Sequence, residues 1–159
     1  DDGSIEEAAN LIVNSDAPIF IGRGGYSSYV AKEGALKMME VSYIHCMALP
    51  GGELKHGPIA LLSEGSPVIA VVPSDSSLNL MESSIRECKS RGAKIILITD
   101  NEGPITELAD IIIQTSKTHE DLSPFVNIIP IQILAYQVGV ARGINVDRPR
   151  NLAKSVTVV

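Results

Sequence analysis

The chain has 159 residues, 45% of them hydrophobic and 20% charged, with a formal net charge of −6. That length suits one domain, and the apolar content is ample for a real core. An acidic balance with no basic run argues against nucleic acid as a partner, and short, interrupted apolar stretches argue against a membrane span.

Ile5 to Asn14 predicts an amphipathic helix, with Glu6 and Glu7 near its start where acidic side chains suit the helix dipole. Ala17 to Ile21 is a short apolar run ending at Gly22, as expected of a buried strand. Ser27 or Ser28 can cap a second helix running to about Ser42. Ile44 to Leu49 reads as extended, and Pro50-Gly51-Gly52 breaks it. Pro67 to Val72 is a clear apolar strand, followed by a helix from Leu78 to Arg91 that closes at Gly92. Lys94 to Thr99 and Asp110 to Gln114 are further strands. Pro124 to Arg142 predicts a long, mostly apolar helix stopped by Gly143, with a kink at Pro130. Apolar strands alternating with helices indicate a parallel sheet covered on both faces. The expected fold is α/β, a three-layer α/β/α sandwich with a mainly parallel sheet over residues 1–144. Residues 145–159 read as a tail rather than a second domain.

Cys46 and Cys88 show no CxxC or Cys/His ligand spacing, which predicts reduced packing cysteines in a cytoplasmic protein and no structural zinc. Acidic, polar Asp1-Asp2-Gly3-Ser4 does not read as a signal peptide. Gly22-Arg23-Gly24-Gly25 lies between a strand and a helix, where phosphates often bind. Serine at position 27 replaces the third glycine of the dinucleotide fingerprint, so a tight turn is the better reading. Pro73-Ser74-Asp75-Ser76-Ser77 could hold a sugar phosphate through hydroxyls and free N–H groups. Asp75 would set a negative charge there, which favours helix capping. Glu33, Lys37 and Glu40, spaced i, i+4, i+7, share one helical face, ordinarily a solvated stripe with a modest ion pair. His56 sits in a glycine-flanked loop, where a single histidine is usually structural or exposed. Lys154 lies between Leu152-Ala153 and the alternating run Ser155-Val156-Thr157-Val158. It is either a plain solvated lysine near a chain end or one partly desolvated by packing. Desolvation lowers an amine's pKa and lets it form a Schiff base.

Three separated segments point further: Glu33-Gly34-Ala35-Leu36-Lys37 through Glu40, Gly52-Glu53-Leu54-Lys55-His56-Gly57-Pro58, and Val146-Asp147-Arg148-Pro149-Arg150 leading into the tail. Together they resemble the glutamine–fructose-6-phosphate aminotransferase (glucosamine-6-phosphate synthase) family. The match is to the second of its two sugar-isomerase (SIS) halves and spans essentially the whole chain. The glutaminase domain and the first SIS half of that family have no counterpart here.

The resemblance implies a SIS fold and a part in converting fructose 6-phosphate to glucosamine 6-phosphate with glutamine-derived ammonia. It assigns Glu40 the proton shuttle between C1 and C2, work that needs one carboxylate within reach of both carbons. Lys37 stands beside it at the sugar, where an ammonium would stabilise an enediolate oxygen. Glu33 is left to orient Lys37. His56 takes the acid–base work of ring opening in the neighbouring subunit's site, which implies a homodimer. Lys154 matches the Schiff-base lysine for the C2 carbonyl, and Ala153 lines the sugar through its backbone. No metal or organic cofactor is implied. The family's phosphate cradle belongs to the first SIS half, so the chain alone is expected to be inactive. His45 and His119 lack comparable context and read as structural or surface residues. Val159 stands where an acidic residue is expected. The alternatives are a stand-alone phosphosugar-binding module with a regulatory role, or a dimer surface supplied by the Pro124–Arg142 helix.

Overall fold

A computed structural model describes residues 3–152. In chain order it contains α1 (Ser4–Val13), β1 (Ile19–Gly22), α2 (Gly25–Ser42), β2 (Met47–Pro50), β3 (Pro67–Val71), α3 (Leu78–Lys89), β4 (Lys94–Thr99), β5 (Ile111–Gln114) and α4 (Ser123–Ala141). The strands form one parallel sheet in the order β2-β1-β3-β4-β5. Successive strand side chains alternate between faces, so Phe20, Ile69, Val71, Ile96 and Ile98 pack against α1, α2 and α4. Ile19, Ile21, Val68, Ala70, Ile95 and Leu97 pack on the other side with Met81, Ile85 and Cys88 of α3. Burial on both faces is why these strands read as continuous apolar runs. The three-layer sandwich is the architecture expected.

Several boundaries differ, each for a local reason. Neither serine caps α2. Gly24 takes that position with φ 75, and the Ser27 hydroxyl instead donates to the Arg23 carbonyl and accepts from the Arg23 N–H, both at 2.8 Å. β2 begins only at Met47; Ile44 and Cys46 are buried in the connection before it. β5 begins at Ile111 because Asp110 closes its entrance, accepting from the Ile95 N–H at 2.9 Å and from Lys94 and Lys89. Burial alone would raise the Asp110 pKa, but the Ile95 N–H and the two lysines together hold it below the usual value. Short 3-10 turns at Gly51–His56, Pro58–Leu61, Pro104–Leu108 and Glu120–Leu122 were not anticipated, since such turns are too brief to leave a periodic pattern.

α4 continues through Pro130 as one helix. Residues Glu120–Ala141 are long and apolar enough to cross a membrane by length and composition alone, so the argument from short apolar stretches fails at this segment. Ile131, Leu134, Ala135 and Val138 are instead buried in the helical layer against α1 and α2. The two cysteines are buried as packing residues, their thiols pushed up to about 12 at Cys46 and about 11 at Cys88, chiefly by burial.

The α2–α4 contact depends on Gly34. A Cβ there would lie 2.7 Å from Ile131 Cγ2 and 3.1 Å from the Phe20 ring, both fully buried. Gly34→Ala should therefore destabilise the fold by about 2 kcal/mol, because overpacking outweighs the gain in helix propensity. Urea unfolding measures it, and an unchanged or higher midpoint would show that the contact can relax.

Candidate active site

In an open parallel sheet, the loops at the carboxyl ends of the strands meet where the strand order reverses. Here β1 lies between β2 and β3, and the loops that follow these three strands converge. A Cβ on Gly24 would sit 3.4 Å from Ser77 Cβ, and one on Gly52 would fall 2.5 Å from the Arg23 guanidinium. Gly22 is locked below them: its Cβ would reach within 2.3 Å of the Ser27 carbonyl oxygen. The glycine motif is thus a tight turn that packs backbone on backbone. In the loop after β3, Asp75 Oδ1 accepts from the Ser77 N–H at 2.7 Å and the Ser77 hydroxyl at 2.6 Å. The expected side-chain cap of α3 is not formed: Ser77 at the N-cap makes no capping hydrogen bond. Asp75 instead closes a local turn ahead of the helix, placing a carboxylate where a phosphate would need donors.

On α2 the predicted stripe is real. Lys37 Nζ lies 2.5 Å from Glu40 Oε2 and 3.5 Å from Glu33 Oε1. The hydrogen bond to Glu40 raises the Lys37 pKa; burial opposes this, and the charges of Glu40 and Glu33 add to it. A raised lysine pKa keeps the ammonium form through neutrality. With side chains 30% and 26% exposed, Lys37 and Glu40 are held by each other yet open to a ligand.

Glu40 also lines a shallow, mostly apolar hollow of about 280 Å³, with Leu36, Met39 and Tyr43 on one side and Asn151 and Leu152 on the other. The C-terminal segment reaches this hollow by a defined route. Gly143, at φ 72, turns the chain after α4, and Asn145 accepts from the N–H groups of Asp147 and Arg148. Val146 packs on Gly139, where a Cβ would meet Val146 Cγ1 at 2.7 Å and the Val41 carbonyl at 2.6 Å. The Arg150 N–H then donates to Tyr43 Oη at 2.7 Å, and its guanidinium lies 4.2 Å from the Tyr43 ring centre. Leu152 ends the described chain at the hollow; Ala153 and Lys154 lie outside the described residues.

His56 is placed elsewhere. It closes the 3-10 turn after β2, exposed, and is not among the residues lining the Glu40 hollow. Leu54 is buried beneath the turn, Gly51 fits against Met81 and Ser84, and Gly57 leaves it at φ 148. The turn is therefore firmly seated while His56 projects outward, with no hydrogen bond or ion pair among the described residues. His45 is exposed, and the side chain of the exposed His119 pairs with Asp121. Among the described residues no group of three His, Cys, Asp or Glu could hold a metal ion.

The structure thus brings Glu40, Lys37 and the entry of the C-terminal segment together. Chemically, this is a carboxylate beside a fixed positive charge at the rim of an apolar hollow, suited to taking a proton from carbon and giving it back. Tyr43, Arg150 and the Arg23–Gly52 contact were not foreseen. The only sequence signal was that α2 lacks a glycine stop, leaving the bulky Tyr43 in a left-handed conformation at its end.

Comparison with known proteins bears on the family and the fold. The family model described as "SIS domain" matches residues 11–142. The glutamine–fructose-6-phosphate aminotransferase (isomerizing) of Thermococcus kodakarensis is 46% identical over 99% of this chain and 26% of its own length. That of Legionella pneumophila strain Paris is 46% identical over 97% of this chain and 25% of its own. The solved C-terminal domain of glucosamine-fructose-6-phosphate aminotransferase from Francisella tularensis superposes with a TM-score of 0.84 at 39% identity, over 92% of this chain and 42% of that one. The chain spans about a quarter of the length of the curated relatives it matches.

Proposed function

Because the chain belongs to the SIS domain family, we propose that it works as the C-terminal SIS half of an isomerising glutamine–fructose-6-phosphate aminotransferase. Its homology to the C-terminal SIS domain of such enzymes supports this reading. The observation that carries it is the Glu40–Lys37 pair at the rim of the hollow where the C-terminal segment ends.

In this reading Lys154 attacks the C2 carbonyl of open-chain fructose 6-phosphate and water leaves, giving an imine; ammonia then adds to C2 and the lysine amine departs, leaving a free C2 imine that draws electrons from C1. Glu40 takes the proton from C1 and returns it to C2, while Lys37 balances the charge that develops on oxygen. His56 opens the sugar ring in the site of a second subunit, so the working unit is a homodimer in which each protomer completes the other. Ammonia comes from a glutaminase domain, and the sugar phosphate is held by a first SIS half; both belong to the whole enzyme. The imine itself supplies the electron sink, so the scheme calls on no metal or organic cofactor. A cytoplasmic location goes with it.

The test is conversion of fructose 6-phosphate to glucose 6-phosphate, measured on residues 1–159 alone and on a protein that joins both SIS halves. The chain alone should give no turnover above background, because binding energy from the remote phosphate is what positions the reacting carbons. The two-half protein should turn over. Robust activity of the chain alone would make it a self-sufficient isomerase, and an inert two-half protein would defeat the catalytic reading.

A further inference from the structure

Between the end of α4 and Leu152 the chain doubles back along α2, and each contact on that path is specific. Val146 occupies the space left by Gly139 beside Val41. Four residues on, the Arg150 N–H meets the Tyr43 hydroxyl, and its guanidinium covers the same ring. Asn151 then takes φ 62, a left-handed turn, and Leu152 enters the hollow beside Leu36, Met39 and Glu40. Tyr43 is itself left-handed at φ 57, ψ 23, immediately after the helix that carries Glu40. Left-handed backbone is uncommon for a bulky residue. Here it accompanies a phenol that engages the strap, three residues after the carboxylate.

We propose that Tyr43 is a positioning residue: its hydroxyl clamps residues 146–152 as a strap along α2, so that the chain beyond Leu152 starts beside Glu40. This rests on the reading that Glu40 and Lys154 share one site. Tyr43 need touch no substrate. Its work is to fix the backbone at Arg150, two residues before the hollow's last described side chain and four before Lys154. A tail fixed at that point samples few positions, and an amine that must meet a carbonyl gains from this restriction as any tethered reactant does. The ring contact with Arg150 is partly independent of the hydroxyl, since the guanidinium can stay on the ring when the phenol oxygen is removed.

Tyr43→Phe separates the two contacts, and amide exchange on the 159-residue chain reads the clamp directly. Exchange at the Arg150 amide should quicken by at least about fivefold, as expected for loss of its one hydrogen bond. The amides of Met38 in α2 and Leu134 in α4 should keep their rates, which excludes general loosening. Unchanged exchange at Arg150 would overturn the clamp. The functional half is tested in the two-half protein. Tyr43→Phe should lower kcat for ammonia-dependent conversion of fructose 6-phosphate to glucosamine 6-phosphate about tenfold while KM for fructose 6-phosphate stays within about twofold, because the phosphate contacts lie on the other half. Unchanged kcat, or a loss confined to KM, would overturn the positioning role. Lys154→Arg in parallel distinguishes the two failures. If Lys154→Arg leaves kcat intact, the shared-site reading and the positioning role fall together, whereas the exchange result still decides whether the strap is clamped.

Discussion

Glu40→Gln should abolish isomerisation of fructose 6-phosphate in a protein carrying both SIS halves, lowering kcat on the order of a thousandfold, the range typical of a lost general base. Glutamine keeps the shape of the side chain and an oxygen that can still accept from Lys37, so the hollow with Leu36, Met39 and Leu152 should survive. KM should move little, since the loss belongs to the chemical step. Stability should change by about 1 kcal/mol, the upper end for a surface ion pair, since this one is partly buried. A second readout comes from Lys37. Its pKa is raised chiefly by the hydrogen bond to Glu40, so removing that charge should bring it back toward the ordinary lysine value, visible by NMR titration of the Nζ-bearing methylene. An unchanged turnover number in Glu40→Gln would return the carboxylate to the role of a solvated helix residue.

The same pair marks what was legible in the sequence. Glu33, Lys37 and Glu40 could be placed on one face because helical spacing is fixed by geometry, and the ion pair followed from it. β1, β3 and β4 were legible because strands buried on both faces carry unbroken apolar runs. Ser27 was misjudged because a serine near a helix start reads as a cap, and only the fold reveals that Gly22 and Gly24 set the turn while the hydroxyl returns to Arg23. The strap was not legible at all. It depends on Gly139, Val41, Val146, Tyr43 and Arg150, which are scattered over about a hundred residues and form no local pattern. For Lys154 the residues allowed either a solvated or a packed amine; the route of residues 145–152 brings the chain to Glu40 just before that lysine.

That route sets up the most discriminating result. In a protein with both SIS halves, borohydride added in the presence of fructose 6-phosphate should attach the sugar covalently to Lys154. The amine adds to the C2 carbonyl, water departs, and hydride from the reagent reduces the resulting imine to a stable secondary amine. Leu152 lies at the Glu40 hollow, and two further residues span at most about 7 Å of backbone, so a lysine at position 154 is within reach of a sugar held there. An imine forms only from an unprotonated amine, so the site must favour the neutral form of this lysine. Lys37 is the competing amine at the same carboxylate, and its electrostatics point the other way. Paired with Glu40 and near Glu33, its pKa is raised, so at neutral pH it remains an ammonium and a poor nucleophile. Lys154→Arg keeps a positive charge but offers a guanidinium that does not deprotonate. It should eliminate the adduct and lower kcat for ammonia-dependent formation of glucosamine 6-phosphate on the order of a thousandfold, comparable to loss of the base. Peptide mapping after reduction decides between the two amines. Sugar on Lys37, or active enzyme with no adduct on any lysine, would overturn the assignment; sugar on Lys154, absent in Lys154→Arg, would fix the division of labour between one lysine kept charged by its carboxylates and another that must lose its proton to react.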